Sequence, residues 1–172
     1  MDIMHGIGER EPIVVRDAAV DELAAVAAVM GAATAQLRGV YRPTQEAIVR
    51  ARAAPVRWLV ALRGGEMVGV LRYGVEEDRL HLGLGVRPEH QGRGVGRALI
   101  EGLTRRAIEL GLSRLSLYTI EETGNVPIFE RLGFRSLRKE PAQGLQSVDG
   151  GTLTDVYMEL PIAPPDDRID RN

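Results

Sequence analysis

The chain has 172 residues, 44% of them hydrophobic and 27% charged, which is the composition of one globular domain rather than of a disordered or membrane-spanning chain. Its 22 basic and 24 acidic residues nearly cancel, so the sequence lacks the overall positive charge typical of nucleic-acid-binding and membrane-surface proteins. The absence of cysteine excludes disulfides and thiolate chemistry, and we expect a cytoplasmic protein.

The first half of the chain alternates strand and helix patterns. Thr44 follows a proline and is a preferred helix cap, and Gly64 with Gly65 between two apolar runs is typical of a hairpin. Successive apolar runs joined by such turns predict an antiparallel meander. The predicted elements are a first strand over 13–15, helices over 20–30 and 44–53, and the second, third and fourth strands over 58–62, 67–75 and 80–86.

The second half changes to a helical period and then back to strands. Apolar residues recur at helical spacing from Val95 until Gly111, a residue suited to the left-handed end of a helix. Because a strand, this helix and another strand follow one another, the fourth and fifth strands are predicted to be parallel. The remaining predicted elements are a fifth strand over 115–120, a short helix over 126–133, and strands over 134–137 and 155–160.

These elements predict one mixed α/β domain over residues 12–161. Residues 1–11 and 162–172 are predicted to be flexible tails, because neither contains a regular apolar pattern.

Three glycines at alternate positions, Gly92, Gly94 and Gly96, lie between the fourth strand and the long helix. Glycine permits positive φ and a close approach of ligand to the main chain, and a turn at a helix start can direct several N–H groups at one anion. Arg93 and Arg97 add local positive charge. The spacing is neither that of the P-loop nor GxGxxG, so from these residues alone a phosphate site and an ordinary solvated helix start stay equally open.

Residues 82–138 resemble the GNAT superfamily of N-acetyltransferases. Gln91, Gly94 and Gly96 match the Gln/Arg-x-x-Gly-x-Gly/Ala phosphate loop of that family. The run NVPIFERLGF, from Asn125 to Phe134, matches a second signature that consists of an asparagine, a short helix and Leu-Gly-Phe. The resemblance implies the GNAT-like acyl-CoA N-acyltransferase fold, with strands two to four antiparallel and strands four and five parallel and splayed around the coenzyme.

The same resemblance implies acetyl-CoA as co-substrate and direct transfer of its acetyl group to an amine in a ternary complex. The acceptor is expected to be a small-molecule amine or a protein amino group, with no nucleic acid or membrane as partner, and a homodimer is compatible with the sequence. We assign coenzyme binding to the backbone of Leu84 and Val86, to the turn residues Gln91, Gly92, Arg93, Gly94, Val95, Gly96 and Arg97, and to Asn125 and Phe129.

Two interpretations stay open for several of these residues. Asn125 can contact the pantetheine arm or cap the short helix, since asparagine is a preferred N-cap. Gly83 and Gly85 in the fourth strand indicate either a bulge that frees main-chain groups for the ligand, which we favour, or room for a packed helix.

Catalytic groups are harder to assign, because Phe129 occupies the position where the family often has a tyrosine acid. Tyr118 is the candidate acid, with Tyr157 as an alternative. Glu121, just after the fifth strand, is the candidate base, with a chain of water molecules as the alternative. The missing hydroxyl also keeps open a non-catalytic acyl-CoA-binding sensor.

No metal is expected. His90 has no second histidine or carboxylate at metal-ligand spacing along the sequence, and we interpret it as solvated. His81, a lone histidine in the apolar fourth strand, is interpreted as structural. Arginines on the second predicted helix and on the connection before it give a weak indication of an anionic acceptor, and solvated surface explains them equally well; they are Arg38, Arg42, Arg50 and Arg52.

Overall fold

The computed structural model describes residues 11–163, which are built around a seven-stranded sheet with a separate two-stranded sheet beside it. The strands are β1 (Ile13–Asp17), β2 (Tyr41–Pro43), β3 (Arg57–Arg63), β4 (Glu66–Glu76), β5 (Arg79–Val86), β6 (Arg114–Ile120), β7 (Arg135–Pro141), β8 (Leu145–Ser147) and β9 (Thr154–Pro161). The α-helices are α1 (Leu23–Thr34), α2 (Gln45–Ala53), α3 (Val95–Glu109) and α4 (Val126–Arg131).

The seven predicted strands and four predicted helices are confirmed. The Thr44 hydroxyl accepts a hydrogen bond from the Ala47 N–H at 3.3 Å and so caps α2 as expected. Gly64 and Gly65 adopt positive φ angles of 57° and 78° in the β3–β4 turn. The small sheet of β2 and β8 was not predicted, because three-residue strands leave almost no period to detect.

The large sheet has the order β1-β3-β4-β5-β6-β9-β7, and β5 with β6 is its parallel pair. This pairing covers only three residues of each strand, from Arg79 opposite Arg114 to His81 opposite Ser116. The remaining residues of β5 and β6 are not paired with each other, so the two strands separate after His81. The predicted antiparallel meander and the predicted splayed pair are both confirmed.

The bulge favoured for Gly83 and Gly85 is wrong, because β5 pairs with β4 in unbroken register along its whole length. The two glycines provide space instead. A Cβ atom on Gly85 would lie 2.9 Å from Met30 Sδ and 3.1 Å from Ala33 Cβ, so this glycine lets α1 pack closely against β5. A Cβ on Gly83 would lie 3.3 Å from Arg72 Cγ, so this glycine lets the Arg72 side chain lie across the strand.

Two helices cover the two faces of the sheet. Leu99 and Leu103 of α3 share one buried cluster with Leu80 of β5, and Val26 and Val29 of α1 belong to a second cluster with strand valines. A fully buried side chain of this size contributes about 1.5–3 kcal/mol relative to an exposed one. The sheet is therefore fixed between α1 and α3, and the separation of β5 from β6 opens inside this framework.

The helical run Val20–Gly39, which contains α1, is long and apolar enough to cross a membrane by length and composition, with a mean hydropathy of 1.3 over its most apolar window. Core helices of soluble proteins can have the same length and apolar character. In this fold the run packs against the sheet through buried residues on one side; they are Val26, Val29 and Ala33.

The packed chain extends past the predicted domain boundary at residue 161. The Ile162 N–H donates to the Ser113 carbonyl oxygen at 2.9 Å, and the Ile162 side chain packs against the main cluster. Most of the two predicted tails, residues 1–10 and 164–172, lies outside the described residues.

Candidate active site

A cavity of about 430 Å³ lies where β5 and β6 separate. Its walls come from both faces of the sheet: from α1 and the turn after it on one side, and from the start of α4 on the other. Four residues assigned to the site from the sequence line this cavity; they are Leu84, Tyr118, Asn125 and Phe129. The strand separation is thus the structural feature that brings these distant residues together.

The glycine turn leads directly into α3, and its backbone is shaped by positive φ angles of 71° at Gly92 and 85° at Gly94. Gly94 is the N-cap of α3 and has no side chain to cap the helix. Within residues 11–163, the N–H groups of residues 92–97 have no intramolecular acceptor. The Val95 side chain is buried and holds the turn against the core. This arrangement suits a phosphate group, since unpaired amides and the positive end of the helix dipole coincide.

The Gln91 side chain stabilises the turn through a hydrogen bond. Its Nε2 donates a hydrogen bond to the Val86 carbonyl oxygen at 3.2 Å and so connects the turn to the end of β5. The Val86 backbone was assigned to coenzyme binding, and its carbonyl oxygen is engaged by Gln91 in this structure. Coenzyme contacts of Gln91 and Val86 stay predictions.

The two arginines assigned to the phosphates also hold the turn in place. The Arg93 carbonyl oxygen accepts a hydrogen bond from the Arg63 guanidinium at 3.0 Å. The Arg97 guanidinium donates to the carbonyl oxygen of Arg131 at 3.3 Å and so connects α3 to the end of α4. Their predicted phosphate contacts stay predictions, and the observed contacts explain how the turn keeps its shape.

Asn125 occupies the N-cap position of α4, but its side chain makes no capping hydrogen bond. It lines the cavity instead. Phe129, one turn further along α4, also lines the cavity and packs edge-on against Phe134 with ring centroids 6.0 Å apart. The wall formed by α4 therefore offers one amide and one apolar ring, and no hydroxyl at the position of Phe129.

The two predicted catalytic residues are not brought together. Tyr118 lines the cavity, and its hydroxyl accepts a hydrogen bond at 2.9 Å from Nη2 of Arg138, a residue outside the cavity wall. Glu121 is not among the residues that line the cavity, and its carboxylate forms an ion pair with Lys139. Its side chain is 43% exposed. The structure thus gives Tyr118 access to the cavity and holds Glu121 outside it.

His81 occupies the last paired position of β5 before the strands separate. Its Nδ1 lies 3.0 Å from Ser116 Oγ, and its ring centroid is 5.6 Å from that of Tyr118. Burial lowers the pKa of the His81 imidazole, and the positive charges of Arg72 and Arg79 act in the same direction. The lowered pKa favours the neutral imidazole at pH 7, and the ring lies beside Tyr118, a residue of the cavity wall.

Two charged residues in the cavity wall, Arg72 of β4 and Asp155 of β9, were missed by the sequence analysis. Burial raises the pKa of the Asp155 carboxyl, and the nearby charge of Glu140 raises it further. The signal available in the sequence was weak: Arg72 interrupts the apolar run of its strand, and Asp155 starts one. The arginines considered for an anionic acceptor do not line the cavity; they are Arg38, Arg42, Arg50 and Arg52.

His90 is less isolated than its sequence neighbourhood indicates. The fold brings Glu66 from the β3–β4 hairpin towards Glu89 and His90, and one ligand atom from each residue lies within 4.8 Å of the others. The His90 Nε2 is 3.9 Å from Glu66 Oε2. Both carboxylates are exposed, and exposed acidic groups of this kind are common without an ion.

A mixed sheet that opens beside an amide-lined helix start is the architecture of the coenzyme A-dependent N-acetyltransferases. A family model described as the acetyltransferase (GNAT) family matches residues 26–134, and the chain belongs to this family. Acetyl-CoA is the acyl donor of the family. The fold expected from the two sequence motifs is confirmed.

Solved structures agree with this fold. The chain is similar to the ribosomal-protein-S18-alanine N-acetyltransferase from Escherichia coli, with 21% identity, a TM-score of 0.70, and coverage of 93% of this chain and 100% of that chain. It is also similar to yncA from Salmonella typhimurium, solved with its cofactor acetyl-CoA, with 20% identity, a TM-score of 0.64, and coverage of 93% and 98%. The ribosomal-protein-alanine N-acetyltransferase from Brucella melitensis has 23% identity, a TM-score of 0.61, and coverage of 85% and 98%.

Proposed function

We propose that this protein is an acetyl-CoA-dependent N-acetyltransferase that transfers the acetyl group directly to an amine in a ternary complex. The observation that carries the proposal is the cavity between β5 and β6, with Asn125 in its wall. Leu84 of the same wall lies beside the unpaired amides of the turn, since a Cβ on Gly96 would be 3.6 Å from Leu84 Cδ2. Membership of the acetyltransferase family supports the same chemistry. The acceptor is a small-molecule amine or a protein amino group.

The residues present fit the coenzyme. Its diphosphate carries two negative charges, which the free N–H groups at the start of α3 and its helix dipole would hold. The Asn125 amide makes no capping hydrogen bond and faces no competing helical role, so it is available for the amide groups of the pantetheine arm. When bound, acetyl-CoA supplies an acetyl group already activated as a thioester.

The chain must then remove a proton from the acceptor. An alkyl ammonium has a pKa of about 10.4, so its deprotonation at pH 7 costs about 4.6 kcal/mol. The proton acceptor that we assign in place of Glu121 is the imidazole of His81, which lies at the point where β5 and β6 separate, with its ring beside Tyr118 of the cavity wall. A base held at the cavity can take up this proton, whereas Glu121 is paired with Lys139.

Proton return to the leaving thiol demands less from the protein. A thiol has a pKa of about 8.5 and leaves as a thiolate with little assistance. We assign Tyr118 as the proton donor, because this residue lines the cavity and Phe129 has no hydroxyl. Direct transfer is favoured over an acyl-enzyme on a thiol, since the chain contains no cysteine.

The test is incubation of the purified protein with acetyl-CoA and a broad panel of amines, with free thiol and acetylated amine measured together. We expect equal amounts of both products. When both substrates are varied, double-reciprocal plots of the initial rate should give intersecting lines, as for a ternary complex, and not the parallel lines of a covalent acyl-enzyme. The second candidate function, a non-catalytic acyl-CoA sensor, is favoured by the missing hydroxyl at Phe129. Tight coenzyme binding without thiol release for any amine would support the sensor and contradict the transferase.

A further inference from the structure

The cavity wall contains two charged side chains, Arg72 and Asp155, of opposite sign. Within residues 11–163, neither forms an ion pair or a side-chain hydrogen bond. A neighbouring charge on the same face, Arg79, is paired with Glu159 at 2.9 Å. Arg72 and Asp155 are therefore left available to a molecule that enters the cavity.

Arg72 is held across the sheet by the space that Gly83 leaves. A Cβ atom on Gly83 would lie 3.3 Å from both Cγ and Nε of Arg72, so the arginine stem lies directly over β5. Because β5 is the strand next to the opening, this places the guanidinium over the edge of the cavity rather than above β4. The position explains why glycine, and not a larger residue, occurs opposite Arg72 in the strand pair.

Asp155 lies on the other side of the opening. It is the second residue of β9 and pairs with Ile120, the last residue of β6. Its side chain is partly buried near Tyr41, so its charge is less screened by solvent than that of a surface carboxylate. The two charges therefore face the same cavity from β4 on one side and β9 on the other.

The wall between the two charges is mainly apolar and aromatic. It includes Met30 and Leu37 from α1 and the turn after it, and Trp58 from β3. A polycationic acceptor would be repelled by Arg72 and find only one carboxylate in this wall. An apolar monoamine would leave Arg72 without a partner.

We propose that the acceptor is an amino acid or a closely related amine that carries an anionic group, with Arg72 binding the anion and Asp155 binding the ammonium. This inference rests on the proposed acetyltransferase function and specifies its substrate class. An aminocarboxylate has both charges within a few bonds, and the apolar wall fits an apolar side chain. Arg72 and Asp155 are thus the residues that determine acceptor specificity.

The first measurement compares pairs of acceptors that differ only in the carboxylate. These are L-leucine against isopentylamine and L-phenylalanine against phenethylamine, with an amidated peptide that begins with leucine as a third kind of acceptor. A charge-assisted hydrogen bond corresponds to roughly a ten- to hundredfold difference in binding. We expect kcat/KM for each amino acid to exceed that of its matched amine by at least about tenfold.

The second measurement uses three variants. Arg72→Gln should lower kcat/KM about ten- to hundredfold more for leucine than for isopentylamine, because only leucine has a carboxylate. Asp155→Asn should lower kcat/KM for both, because both present an ammonium group. The control Arg57→Gln removes an exposed arginine from neighbouring β3 that does not line the cavity, and it should change neither value. Unchanged coenzyme affinity shows that each variant is folded.

The outcomes separate this inference from the proposed function. Equal efficiency with leucine and isopentylamine, or a preference for the peptide, would overturn the amino acid assignment and leave the acetyltransferase in place. No acetylation of any acceptor despite coenzyme binding would contradict the acetyltransferase itself. Equal losses for leucine and isopentylamine in Arg72→Gln would also overturn the role of Arg72 as the anion-binding residue.

Discussion

Gly94 is the residue at which backbone shape and the proposed coenzyme site meet, because its φ angle of 85° turns the chain into α3. Replacing it with valine places a β-branched side chain in the left-handed region, at a cost of roughly 1–2 kcal/mol. An added Cβ at Gly94 would meet no protein atom within 4 Å, so the new side chain would occupy open space at the start of α3, beside the proposed phosphate site. We expect coenzyme affinity, measured by calorimetry, to fall about tenfold or more.

The control for this change is Gly111→Val at the other end of α3. Gly111 has a φ angle of 69°, and an added Cβ there also meets no atom within 4 Å. The two variants should therefore lose similar stability, and only Gly94→Val should lose coenzyme affinity. Equal affinities in the two folded variants would contradict the assignment of the turn to the diphosphate.

His81 makes the stability of the fold depend on pH. Burial lowers the pKa of its imidazole in the folded state, Arg72 and Arg79 lower it further, and Glu76 opposes them. Just below the ordinary imidazole pKa of about 6.5, the unfolded chain binds more protons, so the free energy of unfolding decreases as pH falls. Above that pH the stabilisation of the neutral form is fully present.

His81→Gln should remove this dependence. We expect wild type to lose stability relative to His81→Gln as pH is lowered from about 7 to about 5, and the difference to be constant above that range. Denaturant unfolding at a series of pH values measures it. The other histidines are present in wild type and in His81→Gln, so their effects cancel in the comparison. Parallel pH profiles of the two proteins would show that His81 has the same pKa in the folded and unfolded states.

At the scale of elements, the start of α3 is placed by its contact with β4. A Cβ atom on Gly69 of β4 would lie 2.6 Å from Val95 Cγ1 and 3.1 Å from Leu99 Cδ1. Valine cannot rotate away easily, because its β-branch restricts χ1 in a helix. Gly69→Ala should therefore displace the first turn of α3 and lower the free energy of unfolding by about 1–3 kcal/mol.

Gly39→Ala is the matched control, since an added Cβ at Gly39 meets no atom within 4 Å. Its free energy of unfolding should stay within about 0.5 kcal/mol of wild type. Equal stability of the two variants in denaturant unfolding would mean that α3 can shift on the sheet without cost.

The elements that the sequence predicted well are those with a long period or a strong end signal. The apolar spacing of α3 and the cap at Thr44 were sufficient to predict these helices, and the paired glycines were sufficient to predict the β3–β4 hairpin. β2 and β8 could not be found, because each has three residues and their pairing depends on contacts more than a hundred residues apart in the chain. Gly83 and Gly85 were misread since a strand glycine signals either a bulge or a close neighbour, and only the fold distinguishes them.

The same limit applies to the site. Asn125 and Phe129, which were assigned to coenzyme binding, both line the cavity, and they belong to a motif that is continuous in sequence. Arg72 and Asp155 belong to strands that are far apart along the chain, and the strand order that brings them to one cavity is not encoded in any local pattern. Glu121 lies only three residues from Tyr118 and is nevertheless outside the cavity, where its carboxylate forms an ion pair with Lys139 of β7.

At the scale of the whole molecule, coenzyme binding should make the region where β5 and β6 separate more rigid, because the coenzyme would contact both strands there. A ligand that binds only the folded state slows local opening around its contacts. We expect acetyl-CoA to slow amide hydrogen exchange in peptides that cover residues 82–86 and 92–97. Short exchange times are needed, because global stabilisation dominates at long times.

Strand β1, at the far edge of the sheet, provides the internal reference for this experiment. Its peptide should change little at short exchange times. Protection confined to β1 and β3, with none in the turn before α3, would contradict the placement of the coenzyme.

Trp58 is the single tryptophan of the chain, and it lies in the cavity wall together with Met30 and Leu37. Its indole emission therefore reports from that wall alone, without labelling or mutation. Titration with an acceptor should shift or quench this fluorescence in proportion to occupancy, which makes the natural protein its own spectroscopic sensor for the amines it accepts.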